Sequence, residues 1–325
     1  MALQGLYNGH DVALYNYLAD LVPVVNERLQ EGMRRGSLTR RYDWMYRLVS
    51  WKDSSGQFRP RWLDSGIMRP LPKRIETQGY QNTEIPSSVS SYVEMEFYGD
   101  QLPVTMEYLQ YADNKTQLTE NLAYWTDQYS LSALLRHRTL IGNMFLDAFA
   151  GSAHTTWEGK ALCDEDHSFQ VGGQNYSNVK HSPLSADAIE EVEADMGIWV
   201  DANDHAHEII FDTLVVSKKN QNEAMRISKS LGRVGTDLND INVLRGKYDV
   251  VVLPDLHDTI VSTASDWWFL MDSTMHTLTM FIGQDAQIRL VGNPQNDDVA
   301  YRQSMHCVAG WYGPVGVVGS DGQGS

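Results

Sequence analysis

The sequence predicts an elongated α+β protein, and three stretches carry that prediction. Residues 116–150 lack proline and repeat apolar side chains at helical spacing, which predicts one long helix. Residues 51–100 combine prolines with short alternating runs such as SYVEMEF, a composition typical of a long, poorly buried β-hairpin. Beyond residue 150, short apolar strands alternate with amphipathic helices. We therefore expect a strut helix and a hairpin joined to an α/β region.

The predicted helices differ in their signals. Residues 11–33 are amphipathic, but Pro23 should break the helix because proline lacks the backbone donor. The helix over 116–150 would be roughly 50 Å long at about 1.5 Å per residue, so it should act as a strut. A coiled coil is less favoured there, because the apolar stripe is interrupted near Arg136 and His137. A shorter helix is expected after Ser185, whose hydroxyl suits an N-cap.

Two strand-then-helix units are expected after residue 208. In the first, EIIFDTLVVS leads into NQNEAMRISKSL, and in the second, YDVVVLPDL leads into DWWFLMD. The pair Trp267–Trp268 is expected to pack in the core rather than to form an exposed aromatic platform. The C-terminal stretch from 297 reads as one strand followed by a glycine-rich stop, GPVGVVG.

Charge is distributed unevenly along the chain. Residues 1–75 carry 12 Lys+Arg against 7 Asp+Glu, a net of +5, and the rest carries 14 against 35, a net of −21, which together give −16. A strongly acidic protein repels phosphate, so non-specific coating of nucleic acid is disfavoured. The segment RLQEGMRRGSLTRRYDWMYR is the basic exception. It predicts either a solvated arm or, as we favour, an arm that docks on the acidic body of a second copy.

Several function classes lack their sequence signals. No apolar run approaches the roughly 18 residues of a membrane helix, and no secretory leader is visible. Cys163 and Cys307 match neither a zinc spacing nor a disulfide framework, so we expect two buried thiols. The phosphate-binding loop, the serine elbow and the zinc-protease helix are absent, and GPVGVVG lacks the helix that a dinucleotide site needs. We expect no catalytic residue and no cofactor.

The stretch DANDHAHE is the strongest candidate for a metal site. His205 and His207 would share one face of a strand, because side chains two positions apart point the same way. Asp201, His181 or His167 would have to supply further ligands. Asp201, Asn203 and Asp204 also suit a polar turn in which their side chains bond their own backbone. The turn is favoured, and a metal-dependent hydrolase using His205 and His207 is the alternative.

The order of these parts resembles a known family. The fragments that carry the resemblance are YGDQLPVTMEYL before the long helix, DTLVVSKKNQNEAMRI, INVLRGKYDVVVLPDL, DWWFLMD and the terminal GPVGVV. In this order and spacing the chain resembles, over nearly its whole length, the major capsid proteins of tailed phages with the HK97 fold.

The resemblance implies a division of the chain. Residues 1–50 would be an N-terminal arm and 51–100 an extended E-loop hairpin. Residues 101–160, completed by 291–325, would be a peripheral domain with a spine helix, and 161–290 an axial domain. It also implies a structural protein that forms pentamers and hexamers of an icosahedral shell around double-stranded DNA without sequence-specific binding.

The implied partners are further copies of the chain, a portal, in some members a decoration protein, and a separate scaffolding protein, since few residues precede the arginine cluster. The implied location is the virion, after synthesis in the host cytoplasm, with no role for a membrane. An encapsulin-like compartment with an enzyme cargo is the alternative on the same fold. A covalent cross-link through Lys73 is not favoured. The candidates for inter-subunit contact are Arg34, Arg35, Arg40, Arg41, Arg69, Lys73 and Arg74.

Overall fold

The computed structural model describes residues 9–39, 41–64, 89–104, 115–168, 175–200, 206–233, 241–292 and 299–323. The α helices in these ranges are α1 (Gly9–Ser37), α2 (Met45–Leu48), α3 (Lys115–Leu146), α4 (Ala186–Met196) and α5 (Gln221–Lys229). The strands are β1 (Ser50–Asp53), β2 (Arg61–Asp64), β3 (Val89–Tyr92), β4 (Glu96–Val104), β5 (His167–Ser168), β6 (Asn175–Tyr176), β7 (Val179–Lys180), β8 (Ile198–Val200), β9 (Ala206–Glu208), β10 (Thr213–Val216), β11 (Asp249–Val252), β12 (Trp268–Met271), β13 (Thr279–Gly292), β14 (Val299–Gly310) and β15 (Val317–Ser320). The predicted α+β class is confirmed.

A four-stranded sheet in the order β1-β13-β14-β4 forms one region of the molecule. Strands β13 and β14 pair antiparallel from Thr279 opposite Gly310 to Gly292 opposite Val299. Helices α1 and α3 cover one face through residues such as Met280 and Ile288. The other face holds a small aromatic cluster that includes Phe281. Both faces are therefore at least partly covered within the chain.

Helix α1 runs through Pro23 without a break, so the predicted interruption is wrong. The helix is held by tertiary contacts that compensate for the missing backbone donor. Leu18 and Leu29 are fully buried, and the Asn26 side chain is anchored on β13, where it donates to the Ile288 carbonyl at 2.8 Å and accepts from the Ile288 N–H at 2.7 Å. Packing of an amphipathic face, rather than local propensity, stabilises this helix.

The predicted strut helix is confirmed as α3, although it ends at Leu146 rather than at residue 150. The carboxylate of Asp147 accepts backbone N–H bonds from Ser152, Ala153 and His154 at 2.8–2.9 Å, and so fixes the turn that follows the helix. Partial burial acts to raise the pKa of Asp147, but these bonds outweigh it and hold the pKa below its usual value.

A five-stranded sheet in the order β11-β10-β12-β15-β7 forms the second region. Its central strand β12 contains Trp268, so DWWFLMD is a buried strand, and the prediction of a helix in the second unit is wrong. The expectation that Trp267 and Trp268 pack in the core is confirmed. The C-terminal strand β15 lies beside β12. It therefore lies in this sheet, whereas the predicted division grouped it with β14.

Helix α3 connects the two regions. Near its C-terminal end Phe145 packs edge-on against Phe269 of β12, with ring centroids 5.3 Å apart. Arg138 donates two hydrogen bonds of 3.1 Å to Asp255, which follows β11. A Cβ atom at Gly142 would lie 2.8 Å from the Asp255 side chain, so the helix approaches this loop closely. Within the described ranges, none of the helices could cross a membrane.

Candidate assembly surfaces

The predicted hairpin is represented by its base, in which β2 and β3 pair antiparallel from Arg61 opposite Tyr92 to Asp64 opposite Val89. Trp62 anchors this base to the four-stranded sheet. Its indole donates to the Thr279 hydroxyl at 3.1 Å, and its ring packs edge-on against Phe281 at 4.9 Å. Three candidate contact residues, Arg69, Lys73 and Arg74, lie outside the described residues.

Three aromatic side chains in and beside the hairpin base are each more than half exposed: Phe58 before β2, Tyr92 in β3 and Phe97 in β4. We call these three the aromatic base. The rings of Phe58 and Phe97 stack 6.1 Å apart, and the Arg59 guanidinium lies 5.2 Å from the centre of the Tyr92 ring. Exposed apolar rings that pack on each other, as Phe58 and Phe97 do, are typical of a contact surface. Sequence reasoning missed this cluster, although the aromatic residues of the alternating run were its signal.

Several arginines of the basic segment already form ion pairs within the chain. Arg34 and Arg35 both pair with Glu31 of the same helix, at 2.9 and 2.6 Å. These guanidinium groups, Arg35 first, hold the pKa of Glu31 below its usual value. Arg28 forms two bonds to Asp127 of α3, at 2.9 and 2.7 Å.

Other arginines of the segment are placed differently. Arg47 pairs with Asp249 at the start of β11, which ties the segment to the second region. Arg41 is exposed, and Arg40 lies outside the described residues. Exposed ion pairs contribute little free energy, so the arginines of this segment can exchange partners on contact with another chain.

A third surface lies at the α4–α5 end of the five-stranded sheet. Strands β8 and β9 form a separate two-stranded ribbon, and the described parts of the loop between α5 and β11 contact α4 through Arg233 and Lys247. Asn242 fixes the end of that loop by donating to the carbonyls of Ile227 and Ser230 at 2.7 and 3.2 Å. Exposed aliphatic side chains lie in the ribbon (Ile198), just after it (Ile210) and in the described parts of the loop (Leu231, Ile241 and Val243).

The candidate metal ligands are not brought together by the described part of the chain. His207 lies in β9 opposite Trp199, whereas Asp201 and His205 are outside the described residues. His167 is buried against Glu158, 2.8 Å from Nδ1 to the carboxylate. His181 contacts Asp321 through Nδ1 and Glu165 through Nε2, on opposite edges of its ring. Over the residues that can be described, no group of His, Cys, Asp and Glu is arranged to hold a metal ion.

The two thiols are buried, as the sequence predicts, and are not bonded to each other. Burial raises the pKa of Cys163 well above its usual value and that of Cys307 to about 12. A thiol with a raised pKa is a poor nucleophile, because the thiolate is the reactive form. Neither cysteine is placed for catalysis.

No family model and no curated protein matches this sequence. The structure is similar to the mature capsid of bacteriophage PhiM1, with a TM-score of 0.49, 9% identity, and 85% of this chain and 86% of that chain covered. It is similar to the capsid of Myoviridae phage XM1, with a TM-score of 0.49, 9% identity, and 84% and 88% covered. It is also similar to a virus-like particle from Pyrococcus furiosus, with a TM-score of 0.43, 12% identity, and 92% and 98% covered.

Proposed function

We propose that this chain is a structural major capsid protein with no catalytic role. It self-assembles into pentamers and hexamers, and these form an icosahedral virion shell that encloses double-stranded DNA. The aromatic base is the observation that carries the proposal. A two-stranded hairpin is marginally stable alone in water, and at the base of this one Phe58 before β2, Tyr92 in β3 and Phe97 in β4 stay exposed rather than joining the buried cluster around Trp62. Such a hairpin gains stability by covering these rings with a neighbouring copy.

Contacts of this kind are head-to-tail, because the hairpin of one copy meets a different surface on the next. Head-to-tail contacts close into rings when the rotation between copies allows it. The exposed aliphatic residues of the ribbon β8–β9 and of the loop ending at Val243 would then face the ring axis. Arg69, Lys73 and Arg74, which lie between β2 and β3 in the sequence, and Arg40 would meet the acidic remainder of neighbouring copies. That complementarity sets register and orientation more than affinity.

The acidic remainder of the chain bears on how the DNA is held. A net charge of −16 repels phosphate, so the shell would enclose DNA without binding it. We expect no measurable binding of isolated subunits to duplex DNA at about 0.15 M salt. Tight binding in a filter or anisotropy assay would contradict this part of the proposal.

The direct test is negative-stain electron microscopy of the purified chain, with sedimentation velocity on the same samples. Shells, tubes, or rings of five and six are the expected products. A monomer that stays monomeric at all concentrations, with and without the proteins of its own gene cluster, would contradict the assembly function. Those proteins are expected to include a scaffolding protein and a portal, and a decoration protein in some cases.

A second measurement separates the virion shell from an encapsulin-like compartment. Particles isolated from the natural source should contain nuclease-protected double-stranded DNA and no stoichiometric enzyme. Particles that instead hold one abundant folded protein and no DNA would assign the chain to the compartment class. Elemental analysis of the same particles tests the hydrolase alternative, which requires near-stoichiometric metal that is lost on His205→Ala with His207→Ala.

A further inference from the structure

An open groove runs between the solvent sides of α1 and α3, away from the aromatic base. One part of it has a volume of about 950 Å³ and the adjoining part about 310 Å³, and the two parts share Gly32 and Ser130. The helices approach closely here, since a Cβ atom on Gly32 would lie 2.7 Å from the Ser130 hydroxyl oxygen. We call this the α1–α3 groove. Its lining includes Arg28, Glu31, Arg34, Arg41, Asp127 and Leu131.

Val24 of α1 and Leu131 of α3 line the groove with partly or largely exposed apolar side chains. On α3, Tyr124, Leu131 and Leu135 are 61%, 37% and 41% exposed and follow each other at spacings of seven and four. Residues at these spacings lie on one face of a helix. Val24 of α1, and Leu38 in the turn that follows α1, are both more than half exposed. Exposed apolar residues at helical spacing beside a groove between two helices are typical of a site where a third helix packs.

The end of the groove near Leu38 is basic. The lining of that end contains Arg41 and no acidic residue, and the whole groove is lined by four arginines against Glu27, Glu31 and Asp127, a net of +1. Arg34 and Arg35 share the single carboxylate of Glu31, so this group of three side chains keeps a net charge of +1. A helix that covers the apolar seam would be stabilised if its flanks were acidic.

A second copy of this chain does not supply such a helix from the described residues. Its acidic amphipathic helix is α4, and the apolar face of α4 is already buried through Ile189 and Val192. The α4 carboxylates are also engaged, with Asp187 and Glu190 bound by Arg233 at 2.6 and 2.8 Å. Glu191 pairs with Lys180, and Glu193 with Lys247.

Duplex DNA fits the groove poorly. Glu27, Glu31 and Asp127 stand between the arginines and would repel phosphate. The exposed leucines would gain nothing from a phosphate backbone, which offers no apolar surface to cover them. Both observations favour a protein ligand.

We propose that the α1–α3 groove binds an acidic amphipathic helix that belongs to a separate chain. The inference rests on the proposed function, because it describes a partner of a shell subunit. Leu131 and Leu135 provide the apolar contact, and Arg34, Arg35 and Arg41 bind the carboxylates on the flanks of that helix.

The test uses the full-length, unassembled subunit and a fluorescent synthetic peptide. The probe is a helix of about 20 residues with a leucine seam and glutamate flanks, and its matched control carries lysine in place of each glutamate. The acidic probe should bind saturably and the lysine probe should not. Leu131→Asp with Leu135→Asp, and separately Arg34→Glu with Arg35→Glu, should each weaken binding of the acidic probe at least about ten-fold.

The control is Ile260→Asp, which places an acidic residue at an exposed aliphatic position outside the α1–α3 groove and the other surfaces described above. It should leave probe affinity within about two-fold, and circular dichroism should show that all variants are folded. Equal binding of both probes, affinity unchanged by the groove variants, displacement of the probe by duplex DNA, or displacement by added subunit would each overturn the inference. If the unmodified chain still forms shells, the failure concerns the groove alone and the proposed function stands.

Discussion

The two sheets of this molecule bury their residues in different ways. Every residue of β10, β12 and β15 in the five-stranded sheet is buried. In the four-stranded sheet, β4 is mostly exposed, and β14 alternates between buried and more accessible positions over much of its length. The five-stranded sheet is thus a core completed within one chain. The four-stranded sheet is a platform whose hairpin, edge strand and helices leave surface for other molecules.

The difference teaches where stability and assembly reside. Substitutions in β10, β12 and β15 should unfold the subunit, because these three strands have no solvent-facing side into which to relax. Substitutions on the exposed side of the platform should spare the subunit and change what it binds. Each of the following predictions tests one side of this contrast, beginning with the largest effect on the free energy of unfolding.

The largest effect is expected for Leu270→Ala in β12. Leu270 is fully buried, with Leu214 on one neighbouring strand and Val318 on the other. Truncation leaves a cavity in a region packed on both faces, so we expect a loss of about 3–4 kcal/mol in urea unfolding of the isolated subunit. Leu231→Ala is the control, since Leu231 is exposed and should cost less than about 0.5 kcal/mol. A similar small loss for Leu270→Ala would mean that the sheet is not a rigid core.

Acid should destabilise the platform through His137 of α3. Its ring is buried edge-on against Trp51 of β1, 5.3 Å between centroids, and burial lowers its pKa to about 4. The unfolded chain takes up this proton near pH 6.5, so stability is full above that pH and falls as pH drops from about 6.5 to 4. The loss should reach roughly 3 kcal/mol, measured as the urea midpoint against pH.

Two variants make the acid prediction specific. His137→Phe keeps an aromatic edge against Trp51 and should remove this part of the pH dependence. His181→Gln should leave this part of the pH dependence in place. The Asp321 carboxylate raises the pKa of His181, an effect that burial opposes and Glu165 reinforces. That raised value gives stability that is present at low pH and lost as pH rises, the opposite sign. If acid sensitivity persists unchanged in His137→Phe, His137 is not the group responsible.

A smaller effect is expected where the platform helices touch. A valine at position 32 would press on Ser130, whose Cβ lies 2.9 Å from the position of a new Cβ atom. We expect Gly32→Val to cost about 2 kcal/mol and to speed amide exchange along α1, because the helix must move away from α3. Arg35→Val introduces the same side chain on the exposed face and should cost less than about 1 kcal/mol. Equal costs would show that the close approach of the helices is not required.

How much of this contrast the sequence predicts depends on how local each signal is. The strut helix and the N-cap at Ser185 are predictable because their signals lie in neighbouring residues. The Ser185 hydroxyl accepts a hydrogen bond from the Ala188 N–H at 3.1 Å. The strand at Trp268 was misassigned because a strand buried on both faces shows no alternation. The continuation of α1 through Pro23 depends on Asn26 meeting Ile288, 262 positions away. Local patterns cannot encode such distant partners.

The same limit applies to the surfaces. Arg28 was identified as basic, but its pairing with Asp127 joins residues 99 positions apart and depends on α1 packing against α3. The aromatic base was missed because Phe58 and Phe97 are far apart in the chain and meet only when the hairpin and β4 are in place. The sheet to which β15 belongs was also predicted wrongly, since a short apolar run does not indicate which strand it pairs with.

The smallest effect on the isolated subunit, and the largest on assembly, is expected for Phe58→Ser with Phe97→Ser. Both rings are already exposed, so their loss should change the free energy of unfolding by less than about 1 kcal/mol. Between copies they would be buried, and aromatic residues often dominate such contacts. The subunit concentration at which particles appear in light scattering should therefore rise at least about ten-fold. Ile260→Ser, an exposed change away from the hairpin, should leave it unaltered. If both variants assemble like the unmodified chain, the hairpin base is not a contact, and the platform must use another surface to join its neighbours.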